Sequence, residues 1–380
     1  MTWEPVDAIV ADELGKTFPA ATIEVRRGGE VVYARAVGSL NPDGVSVDGG
    51  QLPDVGVNLQ TRFDLASVTK LFVVSALMAF VEQGAVALTT PVSTILPAFS
   101  GWRPIQPYPD PRQPGQVVQV TPATDVKVDA GKVTFRDLLV HNSGLPAWWS
   151  LFAAASIAER RMLAQQTPFA YLPGTHVVYS DIGLILVGQA IEVLANKPLD
   201  QVVAEQVAAP LGLNSVQYGP VACDNVALTQ TMYDPTVMLC GVVHDDNARG
   251  FGGVAGHAGL FAGVHDVAGL GEAFRVGGGP LLRPATLSAM IRLHAQDGAT
   301  RRGLGFALWS PDPQASSHPF SPKTYGHTGF TGTSLWIDPV RELVVAVLTN
   351  RVYFGADNAD ALAQFRLRLH TAICTIVDAA

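Results

Sequence analysis

The sequence predicts an α+β fold: one antiparallel sheet built from both ends of the chain, flanked by the two terminal helices, with a mostly helical region inserted between them. Three observations carry this. Strand-like patterns occupy residues 20–37 and 303–349. Helical spacing fills most of 134–209. Strands and helices do not alternate, so βαβ repetition around a parallel sheet is not expected. The expected division is a sheet domain from residues 1–65 and 300–380, and a helical domain from 66–299, with a site in the cleft between them.

Each element has its own signal. Within Val6–Phe18, Ile9, Val10 and Leu14 fall at helical spacing. Ala20–Val25 and Glu30–Val37 read as strands joined across Gly28-Gly29, a hairpin pair. Residues 40–60 are rich in Gly, Asp and Pro and read as a loop, and 64–84 read as a helix. Residues 100–130 hold six prolines and little periodicity, which predicts an irregular excursion with a short hairpin before Thr134. Helical patterns return at 134–141, 152–166, 181–196 and 198–209. A glycine-rich stretch, 241–263, leads into helices at 264–275 and 284–294. Gly303–Trp309, Gly326–Ile337 and Leu343–Thr349 alternate or run apolar like strands, and Ala359–Val377 is a closing amphipathic helix. No internal repeat is visible.

Composition narrows the function. The 380 residues are 48% hydrophobic and only 15% charged, which excludes intrinsic disorder. A net charge of −8 repels phosphate backbones, so nucleic acid is not an expected partner. The longest apolar stretches, Leu71–Val81 and Ile182–Ala195, fall short of the ~20 residues a membrane span needs. The first thirty residues lack a cationic start followed by an apolar core, so no secretory signal is read and a cytoplasmic location is expected. A trimmed signal would place the protein in the periplasm or outside the cell. Cys223, Cys240 and Cys374 show no Cys-x-x-Cys spacing and are read as reduced residues.

The sharpest chemical signal is Ser67-Val68-Thr69-Lys70 at the head of an apolar helix. Positions i and i+3 share a helix face, so Ser67 and Lys70 lie side by side. A hydroxyl needs a base to become a nucleophile, and a lysine of lowered pKa supplies one. Free N–H groups of the first turn face a developing oxyanion. Tyr179-Ser180-Asp181 precedes the next apolar helix and offers a phenol for proton transfer. His327-Thr328-Gly329 lies on a strand whose small residues let a substrate approach closely.

These three segments, in this order, resemble the serine β-lactamase and penicillin-binding protein superfamily, and within it the class C-like branch with its family VIII carboxylesterases and D,D-peptidases. Leu138-Leu-Val-His-Asn-Ser-Gly-Leu-Pro146 is similar to that family's Leu-Leu-x-His-x-Ser-Gly-Leu-Pro turn. Val243–Ala248 and Gly252–Phe261 resemble a segment of many β-lactamase-like hydrolases. The similarity spans about residues 20–352, with 100–130 unmatched. It implies a β-lactamase/transpeptidase-like fold and a serine hydrolase without cofactor or metal. Ser67 would be the acylated nucleophile, and Lys70 and Tyr179 would share the proton transfers, with the base left open between them. The oxyanion hole would be the N–H groups of Ser67 and Phe330. Asp181 stands where the family usually has asparagine, and His327 where β-lactamases have lysine.

These departures bear on substrate. Histidine, with an ordinary pKa near ~6.5, is mostly neutral at pH 7, so His327 is expected to favour neutral esters over carboxylates. Arg351 is either a replacement cation or a surface arginine. Trp148 and Trp149 are either an apolar wall of the acyl pocket or core. An ionised Asp181 beside Lys70 would raise the lysine pKa and shift the base role toward Tyr179. His244, Asp245 and Asp246 are read as pins of a loop near the cleft rather than a metal site. His141 and Ser143 are read as a structural turn, and His257 as a hydrogen-bonded loop histidine. The expected function is hydrolysis of a small ester or amide through a Ser67 acyl-enzyme. The alternatives are a β-lactamase or D,D-carboxypeptidase acting on β-lactams or cell-wall peptides, and a module that acylates once and stops.

Overall fold

Leu343–Thr349 is apolar along its whole length because it is covered on both sides. Leu343, Val345 and Val347 point into one core and Val344, Ala346 and Leu348 into the other. In this computed structural model, which describes residues 2–380 apart from 48–49, 112, 114, 121–125, 233 and 235, that strand sits inside an eight-stranded sheet. The order is Ala295–Asp297, Thr300–Arg302, Ala307–Leu308, Tyr325–Thr328, Ser334–Asp338, Leu343–Thr349, Ala20–Arg27 and Glu30–Gly38. Every pairing is antiparallel, and Ala21 lies opposite Thr349, so the two ends of the chain meet at the centre of the sheet.

One face of the sheet carries the terminal helices, Glu4–Glu13 and Ala359–Asp378. Val6 and Val10 from the first, and Leu362, Phe365, Leu369 and Ile373 from the second, form the apolar stripe that buries against it. Each such aliphatic or aromatic side chain contributes about 1.5–3 kcal/mol when fully buried. The other face carries Val264–Arg275, which packs on Ser334–Asp338, Leu343–Thr349 and Ala20–Arg27. It comes so close that a Cβ on Gly271 would lie 2.6 Å from Val344 Cγ1. This helix belongs to the stretch assigned above to the helical part, yet its contacts are with the sheet. Beyond it lies the main core, built on Thr69–Glu82 and Asp181–Ala195, two helices that are apolar nearly all round because they are buried nearly all round.

The fold class read from the sequence is the observed one. Two strand readings change in detail. Gly326–Ile337 is a hairpin, with Tyr325–Thr328 and Ser334–Asp338 joined by a turn at 329–333. Gly303–Trp309 keeps only Ala307–Leu308 as strand, and two unexpected strands precede it on either side of Gly298. The excursion at 100–130 forms two short ribbons, Trp102–Pro104 with Lys127–Asp129 and Tyr108–Pro109 with Val117–Val118, and part of it lies outside the described residues. The cysteine reading needs correction: Cys223 and Cys240 are bonded, with Cα atoms 5.5 Å apart, while Cys374 is free and buried. The Val221 N–H donates to the Gly241 carbonyl, and so lays the two segments side by side in a way their spacing does not announce.

Candidate active site

Ser67 sits in a tight turn, Ala66–Val68, that runs into the buried helix Thr69–Glu82. Ala66 has φ +45°, a conformation that L-residues rarely adopt without outside support. The support is Asp64. One carboxylate oxygen accepts the Ala66 N–H at 2.8 Å, and the other accepts the His244 N–H at 2.7 Å. Burial pushes the Asp64 carboxyl up to about 6 against these two hydrogen bonds. Asp64→Ala orphans two buried donors, each worth about 1–3 kcal/mol when left unpaired. A loss of that size in the unfolding midpoint is expected, and an unchanged midpoint would show that the turn holds itself.

Lys70 is 1% exposed, and its ammonium makes two hydrogen bonds and one ion pair. Nζ donates to Ser67 Oγ at 2.7 Å and to the His257 carbonyl at 2.9 Å, and lies 2.7 Å from Asp181 Oδ1. Burial alone would push the ammonium down. The Asp181 carboxylate and the Tyr179 hydroxyl outweigh it, and the net shift is upward. Lys70 also stands 4.9 Å from the Tyr179 ring centre. The Tyr179 hydroxyl is itself buried and has no well-formed hydrogen bond among the described residues. Burial raises its pKa, only partly opposed by Lys70, so the phenol keeps its proton at neutral pH.

The second expected segment is placed by the turn that precedes it in the chain. His141, at φ +59°, accepts the Ser180 N–H on Nδ1 at 3.1 Å and its carbonyl accepts from Val178. Its ring packs 4.7 Å from that of Tyr179. Ser180 caps Asp181–Ala195 through Gly183 and donates to the Pro146 carbonyl at 2.6 Å. His141 and Ser143 thus belong to scaffolding. The loop reading of 244–246 and 257 holds as well. Asp245 accepts from Ala248 and pairs with His257 Nε2 at 2.7 Å, and Asp246 pairs with Arg249. Among the described residues no group of His, Cys, Asp and Glu is disposed to hold a metal.

The third segment closes the site from the sheet side. Thr331 Oγ1 donates to the Asp64 carbonyl at 2.7 Å and Thr333 Oγ1 to the Leu65 carbonyl at 2.8 Å, joining the 329–333 turn to the Ser67 turn. Gly329 is required there, because a Cβ would lie 2.1 Å from Thr333 Oγ1 and 2.5 Å from the Leu65 carbonyl. Phe330 follows, stacked 5.6 Å from His244. His327 is 3% exposed, and its Nδ1 lies 2.8 Å from the Thr328 carbonyl, so that nitrogen carries the hydrogen. Its Nε2 is buried without a hydrogen-bond partner among the described residues. Burial, with Lys70 and Arg302 nearby, holds His327 neutral, well below its ordinary value.

The remaining expected residues divide. Ser67, Trp148, Tyr179, Asp181 and Phe330 line one cleft of about 1080 Å3. Trp149 instead packs on the main core, and its carbonyl accepts from Asn247. Arg351 is not a surface arginine. It is 3% exposed and lines the cleft, with Nε donating to the Phe330 carbonyl and Nη1 to the Ala356 carbonyl and Asn358 Oδ1. Sequence reading passed over Asp64, Arg302 and Arg366. Arg302 holds its guanidinium 5.2 Å from the Tyr179 ring centre, with Nε buried and without a hydrogen-bond partner among the described residues. Its position beside Arg301 on a short strand reads in sequence as a solvated charge pair, and no signal marks it as inward-facing.

The profile of the beta-lactamase family matches residues 6–368. A protein of Salmonella enteritidis PT4 named "Putative D-alanyl-D-alanine carboxypeptidase" is 29% identical over 390 aligned positions, covering 93% of this chain and 83% of its own. Three solved structures share the fold at lower identity. EstCE1, described as a hydrolase with promiscuous acyltransferase activity, superposes with a TM-score of 0.73 at 22% identity, covering 97% of both chains. Simvastatin synthase from Aspergillus terreus, in a mutant form, gives 0.71 at 20%, covering 99% of this chain and 95% of its own. The octameric penicillin-binding protein homologue from Pyrococcus abyssi gives 0.69 at 20%, covering 96% and 78%. No single helix is long and apolar enough to cross a membrane among the described residues. A serine, a lysine and a tyrosine gathered at one cleft, on a fold matched by the family profile over nearly its whole length, make this chain a member of the beta-lactamase family of serine hydrolases.

Proposed function

We propose that Ser67 is acylated by a small ester or amide that carries a carboxylate near the scissile bond, a peptide ending in a free amino-acid carboxylate being the fitting type. The observation that carries the substrate class is Arg302. It is a half-buried cation beside Tyr179, and no carboxylate among the described residues pairs with it. An unpaired guanidinium at a cleft wall suits bidentate recognition of a carboxylate. The name of the Salmonella relative supports the same class. A neutral ester is the second reading, favoured by the uncharged His327.

In the proposed reaction the Tyr179 hydroxyl is the relay. Lys70, its pKa raised, is an ammonium at neutral pH and so has no lone pair to offer. Tyr179 keeps its proton, so no phenolate waits either. A neutral phenol accepts the Ser67 proton on oxygen as it passes its own to the leaving group, and its charge does not change. Lys70 steers Ser67 Oγ and stabilises the charge that develops there. The N–H groups of Ser67 and Phe330 receive the oxyanion. Deacylation reverses the relay: water gives its proton to Tyr179, and Tyr179 returns one to Ser67. The Cys223–Cys240 bond supports an oxidising working compartment rather than the cytoplasm.

The test uses acetyl-D-Ala-D-Ala and p-nitrophenyl acetate as a carboxylate-bearing and a neutral substrate. Arg302→Met is expected to lower the preference for the first over the second, in kcat/KM, by about 10–100-fold, the value of a charge-assisted hydrogen bond. An unaltered preference removes the carboxylate reading. Turnover of both substrates surviving in Ser67→Ala removes the site.

A further inference from the structure

Beside the 329–333 turn, in the wall of the same cleft, lie two largely buried guanidinium groups that the proposed reaction does not use. Arg351 follows Leu343–Thr349, and Arg366 projects from Ala359–Asp378. They are 3% and 8% exposed. Neither pairs with a carboxylate among the described residues. Burying an uncompensated cation is costly, and two side by side are costlier still. Burial pushes both pKa values down, Arg351 adds to the effect on Arg366, and both groups remain cations at neutral pH.

Their acceptors explain the placement. Arg351 Nε donates to the Phe330 carbonyl at 2.8 Å. Arg366 Nη2 donates to the Thr333 carbonyl at 2.6 Å and reaches the Gly329 carbonyl at 3.4 Å. The Gly329 carbonyl and the Phe330 N–H are the two ends of one peptide group. A cation at the carbonyl end draws electron density along that group and makes the N–H a stronger donor. In a site of low dielectric the positive charges also favour an oxyanion directly. We infer that Arg366, with Arg351 beside it, is a positioning residue that acts through the Gly329–Phe330 peptide to strengthen the oxyanion site. This rests on the reading of the Phe330 N–H as an oxyanion donor.

The experiment compares Arg366→Met, which keeps the apolar stem, with Arg366→Lys, which keeps the charge. Steady-state hydrolysis of p-nitrophenyl acetate and inhibition by phenylboronic acid, which forms a tetrahedral anionic adduct on the serine, are read together. Arg366→Met is expected to lower kcat and boronate affinity together by about tenfold, less than the loss of an oxyanion donor itself, with KM within about twofold. Arg366→Lys is expected to retain both within about threefold. Unchanged kcat and boronate affinity in Arg366→Met overturn the inference, and so does an equal fall in both variants, which would mean that shape and not charge matters. Should Arg366→Met fail to fold, Arg366→Lys decides alone. Its buried ammonium titrates below a guanidinium, so kcat is expected to fall at alkaline pH where the unmodified protein is still flat, and no such fall overturns the inference. Boronate binding that persists in Ser67→Ala would instead overturn the reading of the site.

Discussion

Tyr179→Phe is expected to lower kcat by about 10²–10⁴-fold with KM little changed, the range of a lost proton-transfer group. The substitution deletes one oxygen and keeps the ring that packs against His141 and beneath Lys70. That oxygen is buried without a well-formed hydrogen bond among the described residues, so its removal should cost little stability. The effect is thereby separated from folding. Stopped-flow measurement of the p-nitrophenol burst gives the acylation step directly. A burst of normal rate in Tyr179→Phe would end the relay and return the base role to Lys70.

Lys70→Met is the second large effect, and it strikes activity and stability together. Activity is expected to fall by about 10³-fold or more, because Ser67 Oγ loses the cation that steers it. Stability is expected to fall by about 2–3 kcal/mol, since Asp181 is left as a largely buried carboxylate without its partner. The double variant Lys70→Met with Asp181→Asn removes the stranded charge and is expected to recover the stability and none of the activity. Chemical denaturation of the three proteins checks this. A double variant no more stable than the single one would show that Asp181 does not depend on the ammonium. The pH dependence has a definite sign. With its folded pKa raised above the ordinary 10.5, Lys70 contributes its full stabilisation below that value and loses it as pH climbs through the folded one. Lys70→Met should lack this alkaline term.

The fold was largely legible in the sequence because its elements are long and strongly patterned. Leu343–Thr349, Val264–Arg275 and the closing helix carry their periodicity openly. Ser67, Lys70 and Tyr179 were legible for a different reason: each sits in a short run whose residue types and order are distinctive. What stayed hidden depends on direction and distance. The bonded Cys223 and Cys240 are 17 residues apart, a spacing compatible with many geometries. Arg302 and Arg366 look like ordinary surface cations, because an alternating or helical pattern does not state which charged side chain turns inward. Asp64 reads as one more acid before a helix. Its work, propping Ala66 at positive φ, becomes visible only with backbone angles in hand.

The two threonine hydroxyls that tie residues 329–333 to the backbone of Asp64 and Leu65 make the reaction centre a seam, stitched from segments far apart along the chain. Cohesion and turnover therefore draw on the same few stitches. A lineage that widens this gap for a bulkier acyl group must loosen the join itself, and has to recover the lost firmness somewhere away from it.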